Sequence, residues 1–278
     1  MKIGSEEHKR RFCRQFIASH CHFDPVTLAW PDLDDAALGR LRGVPFWREV
    51  LYTERRAGAT VAAYAQTLAD PLVREAVTLQ GFEEARHAEL LRVMIQRYRI
   101  SADEPPLDEP KGSDLRRAFA DFGYGECLDS FLGFGVFKIA RRSGFLPEPL
   151  FEIFDMLMCE ETRHIVFFIN WMAWQQTARG YGSRWLRAAI AAWYYSRAIK
   201  RLLGTLRRGR NANDGKDFSA TQASVLLNGL TFGGFVQECC AEHARRMAGF
   251  DSDLLLPRLL PTVAGVVLAG RRLRPSVA

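Results

Sequence analysis

The sequence predicts an all-α protein built around a four-helix bundle with further helices after it. Three observations predict this fold class. Long stretches carry apolar residues at helical spacing, and almost none alternates as a strand would. Proline and glycine divide the chain into those stretches. Two of the joints are very short, Ala69-Asp70 and Ser143-Gly144, whereas residues 100–112 form a proline-rich link without apolar periodicity. Short joints make antiparallel hairpins, and two hairpins on one long link describe a bundle. With 48% apolar and 25% charged residues over 278 positions, the chain can bury a core large enough to oppose the entropy of ordering it, so disorder is not the default reading.

Taken in order, residues 1–44 form a polar N-terminal extension. Its first fifteen residues are charged and lack the apolar stretch and cleavage site of a secretory signal, so residence in the cytoplasm is expected, or peripherally at the inner membrane surface. Bundle helices are predicted over 45–68, 71–98, 113–142 and 147–178. Proline stands in or near the first turn of three of them, Ser113 caps the other, and basic residues close several ends. Beyond the bundle domain (45–178), helices over 183–208 and 220–248 flank a polar turn at 210–216, and the last 25 residues form a short amphipathic element. Residues 179–278 thus read as a helical extension packed on the bundle. The six cysteines form no C-x-x-C pair, which argues for reduced thiols and against a zinc ribbon. The most apolar run, 259–269, is too short to span a bilayer and contains Pro261.

One internal echo carries the chemistry. Glu83-Glu84-Ala85-Arg86-His87 and Glu160-Glu161-Thr162-Arg163-His164 both read E-E-x-R-H. Residues three apart share a helix face, so Glu84 with His87, and Glu161 with His164, each present an oxygen and a nitrogen to one point. A dinuclear site also needs a carboxylate from each remaining helix. In an antiparallel hairpin, level residues share the midpoint of the turn. The midpoint of 54 and 84 is position 69, and that of 126 and 161 falls between Ser143 and Gly144, which names Glu54 and Glu126.

Glu84 lies 14 residues before Tyr98 and Glu126 lies 13 after Ser113, so parallel docking of the second and third helices levels the two halves. The link must then climb about 40 Å, and 13 extended residues reach roughly 45 Å. The ligand faces continue through apolar Val73, Val77, Leu91 and Met94, and through Ile153, Leu157, Phe168 and Trp171. Four carboxylates and two imidazoles meeting in such a core imply bound cations. A single E-x-x-H usually lies on a solvated face; two copies with matched acids on the other helices decide against that reading here.

Through Glu54, Glu84/His87, Glu126 and Glu161/His164, residues 45–178 resemble the ferritin-like superfamily of di-iron carboxylate proteins. The resemblance implies two iron ions, or alternatively manganese or a mixed Mn/Fe pair, that react with dioxygen or peroxide. It casts Glu84 and Glu161 as bridging carboxylates, Glu54 and Glu126 as terminal ones, and His87 and His164 as one nitrogen ligand per metal. An E-x-x-H on both helices departs from the centre of cage-forming ferritins. It is similar to soluble acyl-carrier desaturases, oxygenase hydroxylase subunits and the radical-generating subunit of ribonucleotide reductase. The expected activity is therefore that of an oxidase or oxygenase: Glu54, Glu84, Glu126 and Glu161 serve catalysis, an organic or lipid-like substrate lies beside Glu54 and Gly58, and a protein donates electrons. Two alternatives stand: rubrerythrin- or ferroxidase-like peroxide or iron oxidation, and a non-enzymatic metal-stabilised scaffold or membrane-surface binding protein.

Around these residues, Gly58, Gly81, Gly123, Gly125, Gly133 and Gly135 either open a substrate channel or let helices pack closely. Tyr52 and Tyr124 sit about 200° around the helix from their neighbouring glutamates, which favours packing. Arg86 and Arg163 read as outer ion-pair residues, and Asp121, Asp129 and Asp155 as candidate acceptors for the imidazole N–H groups. Cys13, His20, Cys21 and His22 lack structural-zinc spacing, and Glu238, Glu242 and His243 read as a solvated face rather than as further ligands. The net charge of +6 is unevenly placed: residues 1–178 hold 22 Lys+Arg against 26 Asp+Glu, and the last hundred hold 16 against 6. An anionic partner (acidic carrier, phosphorylated substrate or lipid headgroup) is expected on residues 184–216, Arg245-Arg246 and 271–274. Homodimerisation fits the reading, and nucleic acid is not an expected partner.

Overall fold

The computed structural model describes residues 1–107, 114–212 and 230–272, without the side chains of 205–212 and 271–272. These residues are all-helical. The helices are α1 (Glu6–Ala18), α2 (Asp35–Arg42), α3 (Trp47–Ala65), α4 (Pro71–Arg97), α5 (Leu115–Arg142), α6 (Glu148–Ala178), α7 (Arg184–Ala212), α8 (Phe232–Met247) and α9 (Leu259–Arg272). Part of the 100–112 link, most of the 210–216 turn, residues 220–229 and the end of the last basic cluster lie outside the described residues.

Local chemistry sets the helix ends. Asp70 accepts hydrogen bonds from the N–H groups of Leu72 and Val73, with Pro71 in the first turn, so α4 starts where its unpaired donors are satisfied. Asp114, rather than Ser113, accepts from Arg117 N–H and caps α5. Between α5 and α6, Gly144 takes φ 64°, and Phe145 N–H returns to Ala140 O at 3.1 Å, which closes the hairpin. The described part of the long link runs back along the first hairpin: Glu104 pairs with Arg92 of α4 (2.6 Å) and Arg55 of α3 (2.7 Å).

α3 and α4 approach closely through two glycines. A Cβ on Gly58 would lie 3.2 Å from the backbone nitrogen of Ala85, and one on Gly81 3.2 Å from that of Ala62. On α5, a Cβ at Gly123 would overlap the Phe168 ring and one at Gly135 the Cys239 sulfur. These four glycines serve close packing instead of opening a channel. The core divides into two apolar clusters, one containing Phe119, Phe168 and Trp171, the other Leu90, Met94 and Leu150.

Residues 1–44, expected as a polar extension, contribute to this core. Phe12, Cys13 and Phe16 of α1 are buried, and the Phe16 ring packs at a tilt, 4.8 Å from that of Phe167 of α6. Lys9 pairs with Asp70, which ties α1 to the first hairpin. The apolar stripe of α1 is only about one turn long and lies within an Arg-rich segment, so periodicity alone does not reveal it. On the other side, α7 and α8 cover α5: Arg197 binds Asp121 at 2.9 Å, and α8 abuts Gly135. No described helix is long and apolar enough to cross a membrane.

Candidate metal centre

α4 and α6 lie side by side at the two E-E-x-R-H segments, between the apolar clusters. Glu84, His87, Glu161 and His164 are all buried, and one ligand atom from each lies within 4.8 Å of all the others. The two glutamates stand between the two imidazoles. One oxygen of Glu84 is 3.0 Å from His164 Nδ1 and the other 3.8 Å from His87 Nδ1. Glu161 mirrors this, with oxygens 3.0 Å from His87 Nδ1 and 3.8 Å from His164 Nδ1. Glu54 of α3 comes to 3.5 Å of His87 Nδ1. Glu126 of α5 lies within hydrogen-bonding reach of Glu161. The structure thus brings all six sequence-predicted residues to one place, with Glu54 and Glu126 only half-buried on the α3/α5 side.

The first glutamate of each repeat completes the other repeat. His164 Nε2 is 2.8 Å from Glu83 Oε2, and His87 Nε2 is 3.1 Å from Glu160 Oε2. Arg163 donates to Glu83 at 2.8 Å, and Arg86 donates to Glu160. The pairs 83/164 and 87/160 share one midpoint, so α4 and α6 are antiparallel and related by a local two-fold. With α5 antiparallel to α6, the parallel docking of α4 and α5 follows. Carboxylates that accept the Nε2 protons fix the tautomer that turns Nδ1 toward the centre.

The acceptors expected at Asp121, Asp129 and Asp155 are elsewhere. Asp121 binds Arg197, Asp155 binds Arg246 at 2.5 Å, and Asp129 is exposed. The sequence signal for Glu83 and Glu160 was the doublet itself. A residue one before a ligand points about 100° around the helix, toward the neighbouring helix when the two pack side by side.

The N-terminal segment anchors both arginines. Arg163 donates to Phe16 O at 2.7 Å and Ser19 Oγ at 2.9 Å, and Arg86 lies 3.9 Å over the Phe23 ring. His20 Nδ1 approaches Glu83 Oε1 at 2.5 Å, a contact that sequence reasoning missed. His20, Glu83 and Glu160 also cluster at metal-binding distance. The oxygens of that cluster already accept from two arginines and two histidines.

Electrostatics follow from this arrangement. Burial raises Glu83, but His164 and Arg163 outweigh it and bring the carboxyl down to about 2. Burial depresses His87 and His164, yet the surrounding carboxylates reverse this and hold both well above the ordinary imidazole range. Burial pushes Glu54 up to about 7 and Glu126 well above the carboxylate range, with Glu161 adding repulsion to each. Glu161 is itself drawn well down by His164 and His87 against its burial. Four buried atoms at the centre, Glu84 Oε2, His87 Nδ1, Glu161 Oε2 and His164 Nδ1, have no hydrogen-bond partner. Orphaned donors of mixed O/N type facing one point suit a cation. The buried group can hold a metal ion.

The remaining candidates fall outside the centre. Tyr124 packs among Phe168, Tyr194 and Tyr195, as its helical position predicted. Cys13 is in the core and Cys21 is exposed. Glu238 pairs with Lys138 and Arg142. Glu242 and His243, expected on a solvated face, are buried instead: Glu242 binds Arg246 at 3.0 Å and His243 lies against Phe131. The reason is that α8 presses onto α5. No protein-family model, curated protein or solved structure matches the chain.

Proposed function

We propose that this protein is a dinuclear iron oxidoreductase that activates dioxygen to oxidise an organic substrate, with Glu54, Glu84, His87, Glu126, Glu161 and His164 as the ligand set. The observation that carries the reading is the set of four orphaned, buried ligand atoms facing one point between α4 and α6. Iron, or alternatively manganese or a mixed pair, would supply redox chemistry with dioxygen or peroxide when bound. The chain's own residues do the rest. Each of Glu84 and Glu161 turns one oxygen to each imidazole, a disposition suited to bridging two ions. Glu83 and Glu160 hold the Nε2 protons, and the two apolar clusters keep water from the buried ligands. On the less buried α3/α5 side, Glu54 titrates near 7 and can keep or give up a proton at neutral pH.

The test is anaerobic titration of the full-length protein with ferrous iron. Two ions per chain are expected, falling to a trace in E84A/H87A; trace binding by the wild type, or unchanged binding by the variant, overturns the reading. One observation favours a second reading without an organic substrate: Gly58, Gly81, Gly123 and Gly135 serve helix packing rather than a channel. Oxygen or peroxide consumption that forms ferric mineral and stays uncoupled from any metabolite decides for it.

A further inference from the structure

The outer face of α7 carries exposed apolar residues beside basic ones. Tyr194, Tyr195 and Leu202 turn inward onto the bundle core. On the opposite face Trp185 is 75% exposed, and Trp193, Ile199 and Leu203 are exposed along about five turns of the same helix. The apolar residues on both faces hide the outer stripe from a periodicity reading. Arg184–Ala212 carries eight Lys+Arg and no Asp or Glu, and Arg184 and Lys200 are exposed beside the apolar stripe. α9 repeats the combination. Val263, Val266 and Val267 form one outward stripe, Val266 at 68% exposure, and the sequence then runs into Arg271, Arg272 and Arg274.

We propose that α7 and α9 dock the protein on an anionic lipid surface, with Trp185, Trp193 and the α9 valines entering the headgroup boundary and the flanking basic residues meeting lipid phosphates. The inference is independent of the metal reading. Helices that lie in a membrane interface combine apolar and aromatic residues on one side with Lys and Arg beside them, and each basic residue near an anionic surface adds attraction. Charge complementarity selects the occupant. A second copy of the chain would bring one basic α7, which has no acidic residue, against another. An acidic protein would answer the charge, but would also need shaped apolar surfaces for two separate helices. A bilayer supplies an apolar boundary and phosphates to both helices without such matching.

The experiment is co-sedimentation of full-length protein with phosphatidylcholine vesicles, with and without phosphatidylglycerol, at physiological ionic strength, together with tryptophan emission. Binding to phosphatidylglycerol vesicles is expected to be on the order of tenfold tighter than to phosphatidylcholine alone, with a blue-shifted emission. W185S/W193S should bind at least about tenfold more weakly while retaining its helical circular dichroism. V263S/V266S, on the other helix, should weaken binding in the same direction and serves as the second variant if the first does not fold. Three results overturn the proposal: no binding to phosphatidylglycerol vesicles, binding undiminished in both variants, or a dimer that W185S/W193S dissociates while vesicles bind neither form.

Discussion

Filling the centre with a divalent metal should expel protons. In the metal-free protein, burial opposes charge on His87 and His164, but Glu160, Glu161 and Glu54 around the one and Glu84, Glu161 and Glu83 around the other keep both imidazoles protonated at neutral pH. Burial and the charges of Glu161 and Glu84 also raise Glu126 well above the carboxylate range, and Glu54 is pushed up to about 7. A ligating imidazole must be neutral and a ligating carboxylate ionised, so the two imidazoles release about two protons per filled centre and the raised carboxyls add to that. Affinity then gains about a factor of ten per pH unit for each proton displaced, or at least roughly 10² between pH 6 and 7, with the slope falling above pH 7 as Glu54 ionises.

Calorimetric titration of manganese(II) into the metal-free protein, repeated in buffers of different ionisation enthalpy, reads the proton number directly. A value near zero would place the metal on exposed carboxylates and refute the assignment. The same shifts set the pH dependence of metal-free stability. The raised imidazole values contribute stability that is full below about pH 6.5 and is lost as pH rises through the folded values. The depressed Glu83 contributes in the opposite sense, present above the ordinary carboxylate value and lost as pH falls toward 2. Bound metal should abolish the alkaline loss, which thermal melts with and without manganese can check.

Other perturbations test the surroundings. E83Q or E160Q, each removing a carboxylate that holds an imidazole and an arginine, should weaken metal binding by about 10- to 100-fold; unchanged affinity by the same titration would contradict the cross-repeat pairing. G58A forces a Cβ to 3.2 Å from the Ala85 backbone nitrogen and should cost about 1–2 kcal/mol in urea unfolding, whereas G133A, whose Cβ meets nothing within 4 Å, should gain up to about 1 kcal/mol. D70A removes the α4 cap and the Lys9 ion pair and should cost about 1–2 kcal/mol. D70N should recover most of the cap and differ from wild type only above the unfolded carboxylate range, because the Asp70 value is held low in the fold and its contribution disappears as pH falls through that value.

The six central residues were legible because every step that found them was local. The i, i+3 spacing lies within one helix, and the hairpin midpoints lie within one pair of helices. Glu83 and Glu160 escaped because their partners, His164 and His87, lie across the contact between hairpins, and only the docked bundle shows that contact. Asp121 and Asp155, expected as candidate acceptors, instead serve arginines of the C-terminal helices. α1 escaped for a different reason: Phe12 and Phe16 are two aromatics among arginines, and their burial depends on a groove between α4 and α6 that other segments create. Sequence reading here recovers what one helix or one hairpin determines, and misses what depends on how they assemble.

That division explains why the motif occurs twice. Each E-E-x-R-H segment places a ligand pair on one face and sends its first glutamate and its arginine to the neighbouring helix. The arginine of one segment grips the glutamate of the other, and that glutamate holds the other segment's histidine. Neither segment alone has an acceptor for its own imidazole, so one copy on a solvated helix would be neither oriented nor buried. Antiparallel packing of two copies supplies both conditions at once, and the local two-fold that results turns one oxygen of each ligand glutamate to each histidine. The symmetry is broken only outside this layer. His20, Ser19 and Phe16 seal the α1 side against Glu83 and Arg163, while Glu54 and Glu126 stay half-buried on the α3/α5 side. The α3/α5 side is therefore the less buried flank of the centre.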